Sequence, residues 1–225
     1  IDKLTDYGYK TNKTGFLFGT NFEYLDDYRV GIGTSNFYEK IETDASASRN
    51  MRRQEGDYWD SFANFSFDLD KRNQKFQTTD GYRSLYYLNV PFVSDTNTLK
   101  NTYNYKYFAE LYEENITTFS VYLSAANSLS NDNVKLSERL NVPSDKLRGF
   151  EFGKVGPKDG ADFIGGNYVS TLNLSSTLPN FLENAQNTDF LFFIDAANIW
   201  GVDYDSSIDN SNQIRSSIGL GLDWF

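Results

Sequence analysis

Apolar and polar side chains alternate with a period of two along most of this chain, and no helix-period stretch competes with them. Phe16, Phe18, Phe22 and Tyr24 are interleaved with Gly15, Leu17, Gly19, Asn21 and Glu23. Ala63, Phe65, Phe67 and Leu69 alternate with Asn64, Ser66 and Asp68. Tyr103, Tyr105, Tyr107, Ala109 and Leu111 alternate with Asn104, Lys106, Phe108 and Glu110. Phe119, Val121, Leu123 and Ala125 oppose Thr118, Ser120, Tyr122 and Ser124, and Ser216, Ile218, Leu220, Leu222 and Trp224 oppose Arg215, Ser217, Gly219, Gly221 and Asp223. Successive side chains of a strand point to opposite faces, so the pattern predicts strands with one apolar and one polar face. Nine are expected, at 14–25, 28–43, 58–71, 82–93, 102–113, 117–128, 165–178, 189–200 and 214–224. Most exceed the roughly 5–6 residues of a globular strand and match the roughly 9–11 that a tilted strand needs to cross a bilayer. The stretch 134–147 has room for one short helical turn.

The connections follow the same logic. Links after the second, sixth and eighth strands are long and polar, at 44–57, 129–164 and 201–213. Those after odd-numbered strands are mostly shorter, such as Leu25-Asp26-Asp27 and the Asp80-Gly81 turn. The link 94–101 is short for the long-loop end. Long loops at one end and short turns at the other are what an up-and-down membrane barrel has. Lipid satisfies no backbone group, so such strands must pair around a closed wall, apolar face outward and polar face inward. A two-layer β-sandwich alternates as well, with its polar face in water, and is the soluble alternative. Composition favours the membrane: 39% of residues are hydrophobic and mean hydropathy is −0.56, yet aromatics reach 17%, with 19 Phe and 16 Tyr. Large flat side chains suit strands and bilayer interfaces.

Several function classes are excluded outright. The chain has neither Cys nor His, which rules out disulfides, thiolate zinc sites, thiol nucleophiles and imidazole bases. A net charge of −10 argues against a nucleic-acid partner. No nucleotide loop, catalytic triad or metal motif is present, and no enzyme activity or cofactor is expected. No apolar run reaches the roughly 18–20 residues of a transmembrane helix.

Four ordered signals stand out in the last third of the chain: Arg148-Gly149-Phe150 in the long loop, Gly156-Pro157-Lys158-Asp159-Gly160, Gly165-Gly166-Asn167 opening a strand, and the apolar strand Phe190–Trp200 interrupted by Asp195. In this order they resemble the BamA family of outer-membrane-protein assembly factors. The likeness is strong over 148–225 and looser before it, and the segment Trp59–Tyr82 also looks like that family's mid-barrel hairpin. The resemblance implies an all-β, antiparallel up-and-down transmembrane barrel, with residues 1–225 supplying about nine strands, the sixth to fourteenth, of a sixteen-stranded wall. It further implies a lumen-folding loop at 129–164, and POTRA modules and remaining strands outside this sequence. The location is then the outer membrane of a Gram-negative bacterium. The activity is folding and insertion of other barrels, in contact with the lipid bilayer, lipopolysaccharide, unfolded outer-membrane proteins and, through upstream modules, assembly lipoproteins.

In that family the arginine of the loop meets an acid on the barrel wall. The expected centre is therefore Arg148, with Gly149 permitting positive φ and Phe150 anchoring the tip on the inner wall. Asp195 is the expected partner. Alternation places it opposite Phe190, Phe192, Ile194 and Ala196, hence inward if those face lipid, where a carboxylate is costly. The family's second acid aligns with Asn173, whose amide can accept from Arg148 without adding Coulomb attraction. Gly165 and Gly166 would seat the loop. Elsewhere, Asp203-Tyr204-Asp205 with Asp209-Asn210 offers calcium-ligand chemistry but lacks the Gly and terminal Glu of an EF-hand and reads better as solvated acids. Asp68 and Asp70 are a weak candidate acid pair, since Asp70 sits at a strand end beside Lys71 and Arg72, and Arg49, Arg52 and Arg53 with Glu55 and Asp57 read as a loop tip facing lipopolysaccharide or solvent. A passive pore and a two-partner secretion transporter are the alternative functions.

Overall fold

The computed structural model describes residues 8–112, 115–178, 188–209 and 213–224. Nine long strands form one antiparallel sheet in which each strand pairs with the next in sequence: β1 (Tyr9–Leu25), β2 (Tyr28–Thr43), β3 (Gly56–Asp70), β4 (Gly81–Ser94), β5 (Thr98–Tyr112), β6 (Asn115–Ser128), β9 (Tyr168–Leu178), β10 (Thr188–Trp200) and β11 (Arg215–Trp224). A two-stranded hairpin, β7 (Lys158–Asp159) with β8 (Asp162–Phe163), lies within the long loop between β6 and β9. The only α-helix among the described residues, α1 (Arg49–Arg52), is too short to cross a membrane.

Three strand starts differ from the sequence reading by three residues or more. β1 starts at Tyr9 and β5 at Thr98, ahead of where alternation becomes visible. There the polar run Lys10–Lys13 hides the period, but main-chain pairing continues, with Tyr9 opposite Thr43 and Lys13 opposite Glu39. Backbone hydrogen bonds are indifferent to side-chain polarity. β9 starts at Tyr168 rather than at 165, because Gly166 pairs instead with Leu140 of the loop.

The registers carry one face consistently from strand to strand. Thr20 pairs with Ile32, Ile32 with Phe65, Phe65 with Leu88, Phe119 with Leu174, and Ile194 with both Leu174 and Ile218. This outward face is studded with solvent-accessible apolar groups, among them Phe18 at 77% and Leu220 at 75% exposure. A soluble fold does not leave so broad an apolar surface uncovered, whereas lipid solvates it.

The buried residues lie on the other face, between wall and loops. One cluster joins Tyr9, Ile41, Ala47, Met51, Leu136, Ile164 and Val202; a second joins Val142, Leu147, Val155, Val169, Ala197 and Ile199. Val202 sits two residues past β10, and Tyr9 is on β1, seven strand spacings away. In a flat sheet they would stand about 34 Å apart, at roughly 4.8 Å per strand. Their shared cluster therefore requires the sheet to curl around the loops. The segment at 49–53 is not a free tip: Met51 is fully buried in the first cluster and Arg52 donates to the Ala45 carbonyl, although the arginines keep their exposure.

Lipid contact and lumen contact have different tolerances. Leu172→Arg on the outward face should lower unfolding free energy in lipid vesicles by about 2–4 kcal/mol near the bilayer midplane, whereas Asn89→Arg on the inward face should cost about 1 kcal/mol or less. Urea titration of the two variants, followed by tryptophan fluorescence, measures the difference.

Candidate functional site

The long loop enters the hollow of the curled sheet and crosses it. Its first third, Val134–Arg139, is buried at five of six positions, charged ones included. A 3₁₀ turn at Leu136–Glu138 sends the successive side chains of Ser137 and Glu138 to different strands. The Lys135 ammonium pairs with Glu39 on β2, at 2.7 Å, and with Asp60 on β3. Ser137 donates to the same Glu39 at 2.8 Å, and Glu138 pairs with Lys13 of β1 and Lys100 of β5. Arg139 pairs with Asp203 beyond β10 and lies over the Tyr204 ring. Burial alone would raise the Glu138 carboxyl, but Lys100 and Lys13 more than offset this and hold it below the usual range. Burial likewise pushes the Lys135 ammonium down, and Glu39 with Asp60 outweighs that, leaving it raised. Sequence reading missed this network. Its trace was legible: Glu39 and Asp60 lie on the inward parity of their strands, and Val134-Lys135-Leu136 interleaves charge with apolar groups inside a loop.

Arg148 lies further along, against β10. Its Nε is 2.8 Å from Asp195 Oδ2, its Nη2 is 2.7 Å from Oδ1, and its own backbone N–H donates to Oδ2 at 3.0 Å. Asn173 Nδ2 supplies a fourth donor to Oδ1 at 2.9 Å. A carboxylate has about four lone-pair sites, so Asp195 is saturated, and it is fully buried. The guanidinium also stacks on Phe193, 3.7 Å from the ring centroid, which a planar cation does and an ammonium does poorly.

Two expectations change here. Asn173 does not accept from Arg148; it donates to Asp195 and to the Lys146 carbonyl at 2.7 Å. An amide at this place thus completes the acid's hydrogen bonding and ties the loop backbone to β9, where a second acid would have repelled Asp195. Phe150 is not the anchor either. At 37% exposure it lies at the loop surface, while Leu147 is buried in the second cluster and wall residue Phe193 supplies the ring under Arg148. Gly149 has φ +86° with open space around it, so its conformation, not its size, requires glycine. Gly165 has φ +70°, and a Cβ on it would stand 2.5 Å from the Leu140 carbonyl that Gly166 bridges. Both constraints act at the return of the loop to the wall.

The strand registers align the wall partners in one rung. Reading across the inner face, Asp70 faces Arg83, Arg83 faces Lys106, Lys106 faces Ser120, Ser120 faces Asn173, Asn173 faces Asp195, and Asp195 faces Ser217. Asp68 and Asp70 are not an acid pair: Asp68 takes Arg83 and Asp70 takes Arg72.

At the long-loop end the loops are stitched together. Asp159, within the Gly156–Gly160 signal, accepts from Ser48 at 2.6 Å and from Tyr204 at 2.7 Å. Burial first, then Asp159, pushes the Tyr204 phenol well above its ordinary value. The acids of 203–209 are spoken for. Asp203 accepts from Val134 N–H, Arg139 and Asn167, Asp205 from Ser207, and Asp209 from Gly201 N–H. Asn210 lies outside the described residues.

Two measurements follow from these contacts. Asp195→Ala strands the Arg148 guanidinium and should cost about 2–4 kcal/mol, below the range for a fully buried pair because about a third of the Arg148 side chain is in water; chemical denaturation in vesicles reads it. Glu138 has a folded pKa below its ordinary 4.5, so its stabilisation is full above that value and fades as pH falls through the lower folded one. The melting-temperature gap between wild type and Glu138→Gln should therefore be full at pH 6 and narrow as the pH is lowered below 4.5.

Comparisons with known proteins agree with this geometry. Residues 2–225 match the Omp85 superfamily domain. Among solved structures, the chain is similar to the crystal structure of BamA from Haemophilus ducreyi lacking POTRA domains 1–3, with a TM-score of 0.84 and 18% sequence identity over 96% of this chain and 48% of that one. The chain thus spans about half the length of that protein. Comparison with curated proteins gives no match. A nine-stranded meander with its apolar face outward, a long loop folded against its inner face and a match along nearly its whole length place the chain in the Omp85 superfamily, with the fold of a BamA-type outer-membrane barrel wall.

Proposed function

We propose that this wall and its loop act in folding and inserting other β-barrel proteins into the Gram-negative outer membrane. The observation that carries the reading is the saturated Asp195 carboxylate, three of whose four donors come from Arg148 alone. A loop fixed so firmly to the middle of the wall holds that wall in one shape. Client strands then add at an unpaired sheet edge of the completed barrel through main-chain hydrogen bonds. The step needs no nucleotide or cofactor, because burial of apolar strands in lipid drives it. The partners on this reading are unfolded outer-membrane proteins, the bilayer with its lipopolysaccharide, and accessory lipoproteins reached through POTRA-type modules. A passive pore accounts less well for the structure, since two apolar clusters fill the space between loop and wall at the long-loop end.

In the full-length protein, Arg148→Ala should slow assembly of a client barrel into vesicles at least ~tenfold while the wall stays folded. Arg148→Lys should not rescue it, because an ammonium lacks the fork that spans both Asp195 oxygens and the flat face that stacks on Phe193. Assembly at the wild-type rate in both variants, read by client resistance to added protease, would overturn the role.

A further inference from the structure

We propose that the loop carries a second anchor centred on Lys135, which ties it to β1, β2, β3 and β5 and sets where Arg148 is presented to β10. The two anchors share no residue. The Lys135 side chain is 2% exposed, and its ammonium sits between Glu39 and Asp60, 4.7 Å from the Tyr58 ring centroid. Glu138, 3% exposed, is held from the other side by Lys13 and Lys100. Three carboxylates thus meet three ammonium groups. The three acids lie close enough for one oxygen from each to fall within 4.8 Å of the others, and Lys135 is the cation that fills this crowd. The surrounding backbone is engaged too: Leu136 N–H donates to Gln54 Oε1 at 2.8 Å, and its carbonyl accepts from Tyr9.

Stability alone is a poor explanation for four buried charges, Lys135, Glu39, Asp60 and Glu138, flanked by the partly exposed Lys13 and Lys100. Taking ions out of water is costly, and well-packed apolar replacements of such sets are often as stable or more so. What the set supplies is uniqueness of position: only one placement of Val134–Arg139 brings the ammonium against two carboxylates and Glu138 between two lysines. Between the anchors the loop is itself packed, through the Leu140–Gly166 bridge and the burial of Val142 and Leu147. Displacement of the first anchor is therefore transmitted to Arg148. Glu39 and Asp195 are six strand spacings apart around the sheet, so the loop is a strut between two parts of the wall. Lys135 is a positioning residue, and only its link to barrel assembly rests on the function proposed above.

The test uses single-cysteine reporters in the full-length protein in membranes, with a small maleimide as probe; this chain contributes no background thiol. Val134→Cys reports the first anchor and Leu147→Cys the second, both from buried sites. Arg148→Ala should raise labelling at 147 about tenfold and leave 134 within about twofold, whereas Lys135→Met should raise both by about tenfold, as local opening requires. Equal exposure of both sites by Arg148→Ala, or continued protection of 134 in Lys135→Met, would overturn the proposal. A triple variant, Lys135→Met with Glu39→Gln and Asp60→Asn, removes the stranded carboxylates; labelling at 134 should stay raised. Restored protection there would mean that Lys135 merely neutralises buried acid, and the proposal would fall. Should Lys135→Met not reach the membrane, the double variant Lys13→Gln with Lys100→Gln replaces it and must raise labelling at 134 at least ~threefold. Thiol access is read without any client protein, so an anchor that fails and an assembly function that fails give separate results.

Discussion

The Asp195 carboxylate is built into the wall of a hollow β-sheet and pairs with a cation that comes from outside that wall, and this requirement organises the molecule. Asp195 is fully buried on a strand whose neighbouring inward groups are Phe193 and Ala197. The wall itself offers it one amide donor, Asn173. The remaining demand is met by a loop that leaves β6, crosses the interior and returns to β9. Arg148 meets it with side chain and backbone together, an arrangement that also fixes the loop's direction at that point. Much of the loop's architecture, from the buried Leu147 to the glycine turns at 149 and 165, serves to bring that one residue into place.

The loop is held by two kinds of force with different reach. Apolar packing in the two clusters supplies most of the burial and is tolerant of small shifts. Ion pairs and charge-assisted hydrogen bonds are less tolerant, since an error of a few tenths of an ångström breaks a bidentate contact. The first kind keeps the loop inside. The second determines which of many inside positions it takes.

The wall was legible from the sequence because alternation and loop parity are direct images of a meander in lipid. The inward parity of Asp195 followed from Phe192 and Ile194 alone. Strand ends were less legible where polar runs such as Lys10–Lys13 pair through their backbones beyond the apolar zone. Side-chain partnerships inside the loop were not legible, because they depend on how a long irregular segment folds. Asn173 could have accepted or donated, and only the position of the Lys146 carbonyl decides for donation. The resemblance made Phe150 the expected anchor, but it follows the left-handed Gly149 and stays 37% exposed, while Leu147 takes the buried place.

The rung running from Asp70 through Arg83, Lys106, Ser120, Asn173 and Asp195 to Ser217 carries one more implication. Side chains in a sheet switch sides at every residue, so a slip of one position between β9 and β10 would carry the carboxylate to the hydrocarbon side. Arg148 would then find no counter-charge in the interior. A seated arginine is consequently a checksum on the wall: it is attainable only when the intervening strands have been zipped with the right partners opposite one another.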